Sequence, residues 1–284
     1  MRQDYKESNQ GKPIIDKGKK MLLAIDIGNS HTVVGLFKED LLVGQWRFKS
    51  ERDRTDDELA IRYHALFSMI GFDTKELDGI ILASVVPTLQ TAWISYCRKY
   101  LSANLERPLM VVSAESVKGS IRIKTEYPAE VGADRLVNAI AAWNTYRCNL
   151  VIIDFGTAIT FDCVSAGCEY LGGAILPGIA ISLDALSSRT AKLPRIDIND
   201  GPEKVIGTNT VQAMKSGILH GYGALVDGMT HKIRLEMGCP ENEFKVIATG
   251  GMAHLIAPYA QSIEEVDPLL TLKGLRLLYS QADR

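Results

Sequence analysis

Ile152-Ile153-Asp154-Phe155-Gly156-Thr157-Ala158-Ile159-Thr160 is an apolar run broken once, by Asp154, Gly156 and Thr157. It reads as a hairpin whose first strand delivers a carboxylate and whose glycine turn lets backbone N–H groups approach a phosphate. Leu23-Ala24-Ile25-Asp26-Ile27-Gly28-Asn29-Ser30, followed by Thr32-Val33-Val34-Gly35-Leu36-Phe37, repeats the order of apolar strand, Asp, apolar residue, Gly, small polar residue, apolar strand. The two Asp are 128 positions apart, about one domain length.

Working outward from the first copy, strands are expected over roughly 21–28, 32–38 and 42–48. A helix opens at Thr55-Asp56-Asp57-Glu58, with Leu59, Tyr63, Leu66, Phe67 and Ile70 as its buried stripe. A strand over 79–86 ends at Pro87, and a helix over 88–102 and a strand over 108–112 follow. Residues 113–131 are mixed and polar and are expected to form a surface loop beside the active site. Gly132-Ala133-Asp134-Arg135 leads into an Ala-rich helix to about Tyr146. The order then repeats: strands at 149–155, 158–164 and 169–176, a short helix over 178–188, a loop over 192–202, and a long helix over 208–237. A strand over 244–248 reaches Thr249-Gly250-Gly251, and a helix, a strand near 263–266 and a last helix from about 271 complete the pattern. This periodicity predicts two related α/β halves facing a cleft, over residues 21–140 and 141–284. Along the long helix Ala213, Gly217 and Gly221 recur every four residues. Glycine costs helix stability, so the stripe predicts close approach of another backbone, within the chain or across a dimer.

Composition excludes several classes. With 46% hydrophobic and 23% charged residues the 284-residue chain has the make-up of a globular protein. A formal net charge of −2 gives nucleic acid little electrostatic support. Five Cys without a C-x-x-C point to free thiols in a reducing compartment. Residues 1–20 are polar and Lys-rich, resemble neither a signal peptide nor a membrane anchor, and are expected to be a flexible extension outside the fold. No apolar run approaches the roughly 20 residues that span a bilayer, so a cytoplasmic protein without a membrane partner is expected. The five His form no H-E-x-x-H, and both the G-x-S-x-G and G-x-x-x-x-G-K-[ST] signatures are absent. Any ATP chemistry here uses another cradle.

A single Asp beside a glycine turn reads equally as a cap of its own turn. Two matched copies favour a nucleotide-phosphate site, in which paired loops grip a triphosphate and two Asp hold its cations. Gly28, Asn29, Ser30 and Thr157 would supply donors to phosphate oxygens. Thr249-Gly250-Gly251 reads either as bare backbone under an adenine or ribose, or as a strand end before a helix. Asp134 reads either as a helix-cap residue or as a general base for a substrate hydroxyl, with Arg135 positioning substrate and lowering the Asp134 pKa.

These residues resemble the type III pantothenate kinases, within the acetate-kinase, sugar-kinase, Hsp70 and actin superfamily. The resemblance rests on Asp26-Ile27-Gly28-Asn29-Ser30, Gly132-Ala133-Asp134-Arg135, Asp154-Phe155-Gly156-Thr157-Ala158-Ile159-Thr160 and Gly172-Gly173-Ala174-Ile175-Leu176-Pro177-Gly178, extended by Arg189-Thr190-Ala191-Lys192-Leu193-Pro194 and Thr249-Gly250-Gly251. It implies an actin-like ATPase fold of two ribonuclease H-like halves with a duplicated βββαβαβ pattern facing an ATP cleft. It also implies transfer of the γ-phosphate of ATP, with Mg2+, to pantothenate, the first step of coenzyme A biosynthesis. Asp134 would be the catalytic base. Tyr127, Gly132, Ala133, Arg135 and Thr190, with Asp134, would line the pantothenate site. Asp26, Ile27, Gly28, Asn29, Ser30, His31, Thr32, Val33 and Thr157 would bind ATP, and Asp154 would be the ligand for a monovalent cation, potassium or ammonium. The family is homodimeric, and the helix over 208–237 is the candidate contact. Ser30 and His31 depart from the usual Thr and Asn. The competing expectations are a kinase for another small alcohol on the same scaffold and a non-catalytic regulator.

Overall fold

The computed structural model describes residues 21–102, 105–198, 200–202 and 204–282; the extension expected over residues 1–20 lies outside them. The chain divides into two compact units between Val111 and Val112.

In the first unit β1 (Met21–Ile27), β2 (His31–Lys38) and β3 (Leu41–Lys49) form an antiparallel meander, and β4 (Leu77–Ser84) and β5 (Met110–Val111) add in parallel on the other side of β1. The sheet order is β3-β2-β1-β4-β5. Helix α1 (Asp56–Met69) starts where the sequence places it. The Thr55 side chain accepts from the Glu58 N–H, and the Glu58 carboxylate accepts from the Thr55 N–H, so two otherwise orphaned donors are satisfied. Its buried Tyr63 meets Trp93 of α2 (Pro87–Tyr96) edge-on at 4.8 Å between centroids and lies tilted against Tyr96 at 6.3 Å, while its buried Phe67 meets Trp46 of β3 edge-on at 5.5 Å. The meander thus gains the covering layer it requires.

The second unit contains the same pattern. β7 (Asn149–Phe155), β8 (Ala158–Ser165) and β9 (Glu169–Pro177) form the meander, and β10 (Phe244–Thr249) and β11 (Glu265–Val266) run parallel beyond β7. The repetition reaches single residues. The β2–β3 register slips between Leu36 and Phe37 and the β8–β9 register between Cys163 and Val164, which are equivalent positions once the shorter β7–β8 turn is allowed for. At the position where the first unit has Gly35, the second has Asp162.

One strand was not legible. β6 (Arg122–Ile123) lies within the segment expected to be loop and pairs in parallel with the outer edge of β9, with the Lys124 N–H donating to the Tyr170 carbonyl at 2.8 Å. The unit boundary also falls at 111/112, not at 140/141. Helix α3 (Ala133–Tyr146) packs on β7, β8 and the last helix α7 (Leu270–Gln281), all in the second unit. A Cβ at Gly274 would lie 2.6 Å from Val137 Cγ1 and 3.1 Å from Ala141 Cβ, so this glycine sets how closely α7 approaches α3.

The unit also contains α4 (Ile179–Arg189), the 27-residue α5 (Thr210–Glu236) and, after β10, the short α6 (Ala253–Ile256). The small-residue stripe of α5 behaves differently from the intramolecular alternative. A Cβ at Gly217 or Gly221 would meet nothing within 4 Å, whereas at Gly223 it would lie 2.1 Å from the Tyr259 carbonyl oxygen. The close approach inside the unit is at Gly223, off the stripe.

Candidate active site

In the first unit Asp26 sits one residue before the end of β1, opposite Val33 on β2 and Ala83 on β4. The Gly28 N–H donates to the His31 carbonyl at 3.0 Å and closes the turn. Ser50 fastens the turn from behind: its hydroxyl donates to the Gly28 carbonyl at 2.6 Å, its N–H to the Ser30 carbonyl at 2.9 Å, and it shares a 3.0 Å hydrogen bond with Thr32. Asn29 and His31 are exposed, and both receive arginines: Arg52 at 3.4 Å on Asn29 Oδ1, Arg47 at 3.1 Å on His31 Nδ1. Burial, then Arg47 and Lys49, hold His31 below its ordinary pKa, which disfavours its charged form. Ile27 and Thr32 are buried.

In the second unit Gly132 is the cap of α3, which leaves Asp134 and Arg135 in the first helical turn. Asp134 Oδ1 accepts the Arg135 N–H at 2.8 Å. One turn on, at the i+4 position of the same face, lies Asn138, which is 1% exposed. Its amide nitrogen reaches Asp154 Oδ2 at 3.5 Å, and its amide oxygen accepts the Thr271 hydroxyl of α7 at 2.8 Å. The tight α3–α7 packing thereby holds the amide that faces Asp154.

Asp154 sits one residue before the end of β7 and is pushed up to about 7, by burial first and then by the negative charges of Asp134 and Asp162; the Asn138 amide opposes this. Asp134 is also raised. Arg135 lowers it, as its place in the sequence predicts, through its N–H and its charge, yet the net shift is upward. Burial outweighs the Arg135 N–H, and the guanidinium is turned to Asp162, whose own charge adds to the upward shift. The Asp162 charge thus acts on both Asp134 and Asp154, and Asp134 acts on Asp154, around the start of α3 and the end of β7.

Gly250, at φ +90°, closes this corner. A Cβ there would lie 2.3 Å from Asp154 Oδ1 and 2.7 Å from Phe155 backbone atoms. Gly250→Ala is therefore expected to cost about 2 kcal/mol or more in a urea titration, from the left-handed backbone and the clash together; an unchanged midpoint would mean that the 249–251 backbone gives way.

Of the remaining expected site residues, Thr157 is exposed in the β7–β8 turn, and Ala133 is buried at the start of α3. Tyr127 is 60% exposed ahead of a short turn, and Thr190 is exposed at the end of α4 with its hydroxyl donating to the Leu186 carbonyl at 2.7 Å. No hydrogen bond joins either to Asp134 or Arg135 among the described residues. Sequence reasoning passed over Asn138, Thr160, Asp162, Tyr170 and Thr271. The signal was there for two of them: Asp162 and Asn138 are polar residues inside otherwise apolar stretches, which a buried strand or helix face does not accept without partners.

Two halves of one βββαβαβ order, each with an Asp at the end of its first strand, define an actin-like ATPase fold. Solved structures with this fold include a putative Baf family transcriptional activator from Campylobacter jejuni (TM-score 0.53, 20% identity, 92% of this chain and 98% of that one) and component A of the (R)-2-hydroxyglutaryl-CoA dehydratase of Acidaminococcus fermentans (TM-score 0.50, 14% identity, 93% and 100%). The family model for type III pantothenate kinase matches residues 22–232. Proteins of that name from Desulfotalea psychrophila and Desulforapulum autotrophicum are 56% and 48% identical to this chain, over 91% and 92% of it and 97% of each relative. The chain belongs to the type III pantothenate kinase family.

Proposed function

We propose that the protein transfers the γ-phosphoryl group of ATP to the terminal hydroxyl of pantothenate, giving 4'-phosphopantothenate, the first step of coenzyme A biosynthesis. The observation that carries this reading is the placement of Asp134 and Arg135 in the first turn of α3, in electrostatic reach of Asp154 at the end of β7. A binding protein has no need of a buried carboxylate raised toward the working pH, whereas a general base does.

The hydroxyl oxygen forms a bond to the γ-phosphorus as the bond from that phosphorus to the β–γ bridging oxygen breaks. ADP leaves with the electron pair, and the hydroxyl proton passes to Asp134. Gly132, Ala133, Arg135, Tyr127 and Thr190 are assigned to the pantothenate site, and Asp26 through Val33 with Thr157 to ATP. Among the described residues no cluster of three or more His, Cys, Asp or Glu is arranged to hold a metal ion. The Mg2+ proposed here accordingly belongs to the nucleotide, since that ion commonly binds through substrate phosphates and one or two carboxylates.

Asp154 fits a monovalent cation, potassium or ammonium. Among the described residues its one side-chain hydrogen bond is the long Asn138 contact, and its carboxylate lies among like charges. A cation bound there would supply positive charge against the charge that builds on phosphoryl oxygens. We place the reaction in the cytoplasm, where ATP is available; no helix among the described residues is long and apolar enough to cross a membrane.

We also propose a homodimer. Support comes from the open stripe at Gly217 and Gly221 on α5 and from exposed apolar residues near its start, Val205 at 65% and Ile206 at 84%. Gly217→Leu is expected to shift the protein toward monomer in light scattering, and an unaltered dimer would exclude this face. The catalytic reading is tested by ADP release with pantothenate set against a panel of other small alcohols. Release that depends on pantothenate supports it; release only with a different alcohol would overturn it.

A further inference from the structure

Asp162 is fully buried in β8, at the position where the first unit has a glycine, and it holds three donors on two oxygens. Oδ1 accepts Arg135 Nε at 2.6 Å and the Tyr170 hydroxyl at 2.7 Å, and Oδ2 accepts the Thr160 hydroxyl at 3.0 Å. The neighbouring strand is shaped for the same arginine. Gly173, paired with Asp162 across β8 and β9, would place a Cβ 1.7 Å from the Phe161 carbonyl and 3.1 Å from Arg135 Nη2, so no side chain can occupy the space beside the guanidinium. Tyr170 comes just past the register slip of β9, its ring 5.9 Å from the Arg135 guanidinium carbon. Arg135 Nη2 itself is buried and has no hydrogen-bond partner among the described residues. A donor left open in an otherwise satisfied network points to a group that arrives from outside.

We propose that Asp162 is a positioning residue for the acceptor substrate: with Tyr170 and Thr160 it clamps Arg135 by Nε, so that the rest of the guanidinium is presented in one fixed orientation to a polar or anionic group of that substrate. The proposal rests on the reading that Arg135 lines the acceptor site. A carboxylate is required because the clamped guanidinium is a half-buried cation: an amide oxygen could still accept from Nε and the Tyr170 hydroxyl, but an amide supplies no charge to hold the guanidinium in place.

Asp162→Asn is expected to raise the KM for pantothenate about tenfold while leaving the KM for ATP within about twofold. Combined with Arg135→Ala, it should add no further loss to that of Arg135→Ala alone, because it acts through the arginine. Equal changes in both KM values, or losses that multiply in the double variant, would overturn the proposal. Should Asp162→Asn fail to fold, Tyr170→Phe removes one donor and is expected to raise the pantothenate KM by about two- to fivefold with the ATP KM steady; no change would overturn it. A readout independent of the acceptor is the 15Nε–H resonance of Arg135, expected to be protected from solvent exchange in the wild type and to lose protection in Asp162→Asn. If the wild type does not phosphorylate pantothenate, the functional reading fails while this resonance still decides the clamp. An unprotected resonance in the wild type would overturn the clamp itself.

Discussion

Asp134→Asn is expected to lower kcat about 10²- to 10⁴-fold, the usual contribution of a general base, with the melting temperature unchanged or higher. The second half of that expectation comes from the same physics as the first. Burial and the Asp162 charge raise the Asp134 pKa, so its ionised form costs stability at neutral pH, and an isosteric amide removes the cost. The base works only when deprotonated. The acidic limb of the wild-type rate profile is therefore expected above the ordinary aspartate value of 3.8, with activity falling as pH drops through the raised pKa. Near-normal turnover in the variant, measured by coupled ADP release, would remove Asp134 from the chemistry.

Potassium in place of sodium is expected to raise turnover at least about tenfold, equivalent to roughly 1.4 kcal/mol of barrier. The same exchange should raise the melting temperature more at about pH 8 than at about pH 5.5. The sign follows from Asp154. Its pKa is near 3.8 in the unfolded chain and pushed up to about 7 in the fold. Between these values the folded state holds a proton that the unfolded state has lost, so without a cation stability declines as pH rises through that window and stays reduced above it. A cation beside the ionised carboxylate offsets this penalty, and does so only where the carboxylate is ionised. Equal melting shifts at both pH values, with an indifferent rate, would remove the cation from Asp154.

Much of this was legible because it is written in local chemistry. The repeated strand, Asp and glycine turn at Asp26 and Asp154 appears in both sheets, and Thr55 with Glu58 forms the cap its spacing implies. What escaped depends on partners distant in sequence. The two-residue β6 exists only because β9 offers it an edge, and α3 belongs to the second unit because α7, some 130 positions on, packs against it. The net sign of the Asp134 shift escaped for a related reason: Arg135 does lower it, but burial, which only the packed fold reveals, outweighs that, and the Asp162 charge on β8 adds to the rise. Gly223 was passed over because the visible spacing of Ala213, Gly217 and Gly221 runs along a different line of α5. The likeness to a putative transcriptional activator at 20% identity extends to the fold alone, and it leaves the choice between kinase and regulator to the Asp134 corner.

The most direct measurement is to incubate the protein with γ-32P-labelled ATP, Mg2+, potassium and pantothenate, and to identify the labelled product by chromatography and mass, with Asp134→Asn alongside. Label is expected on 4'-phosphopantothenate from the wild type and almost none from the variant. A folded wild-type protein that binds ATP yet leaves pantothenate unlabelled would contradict it.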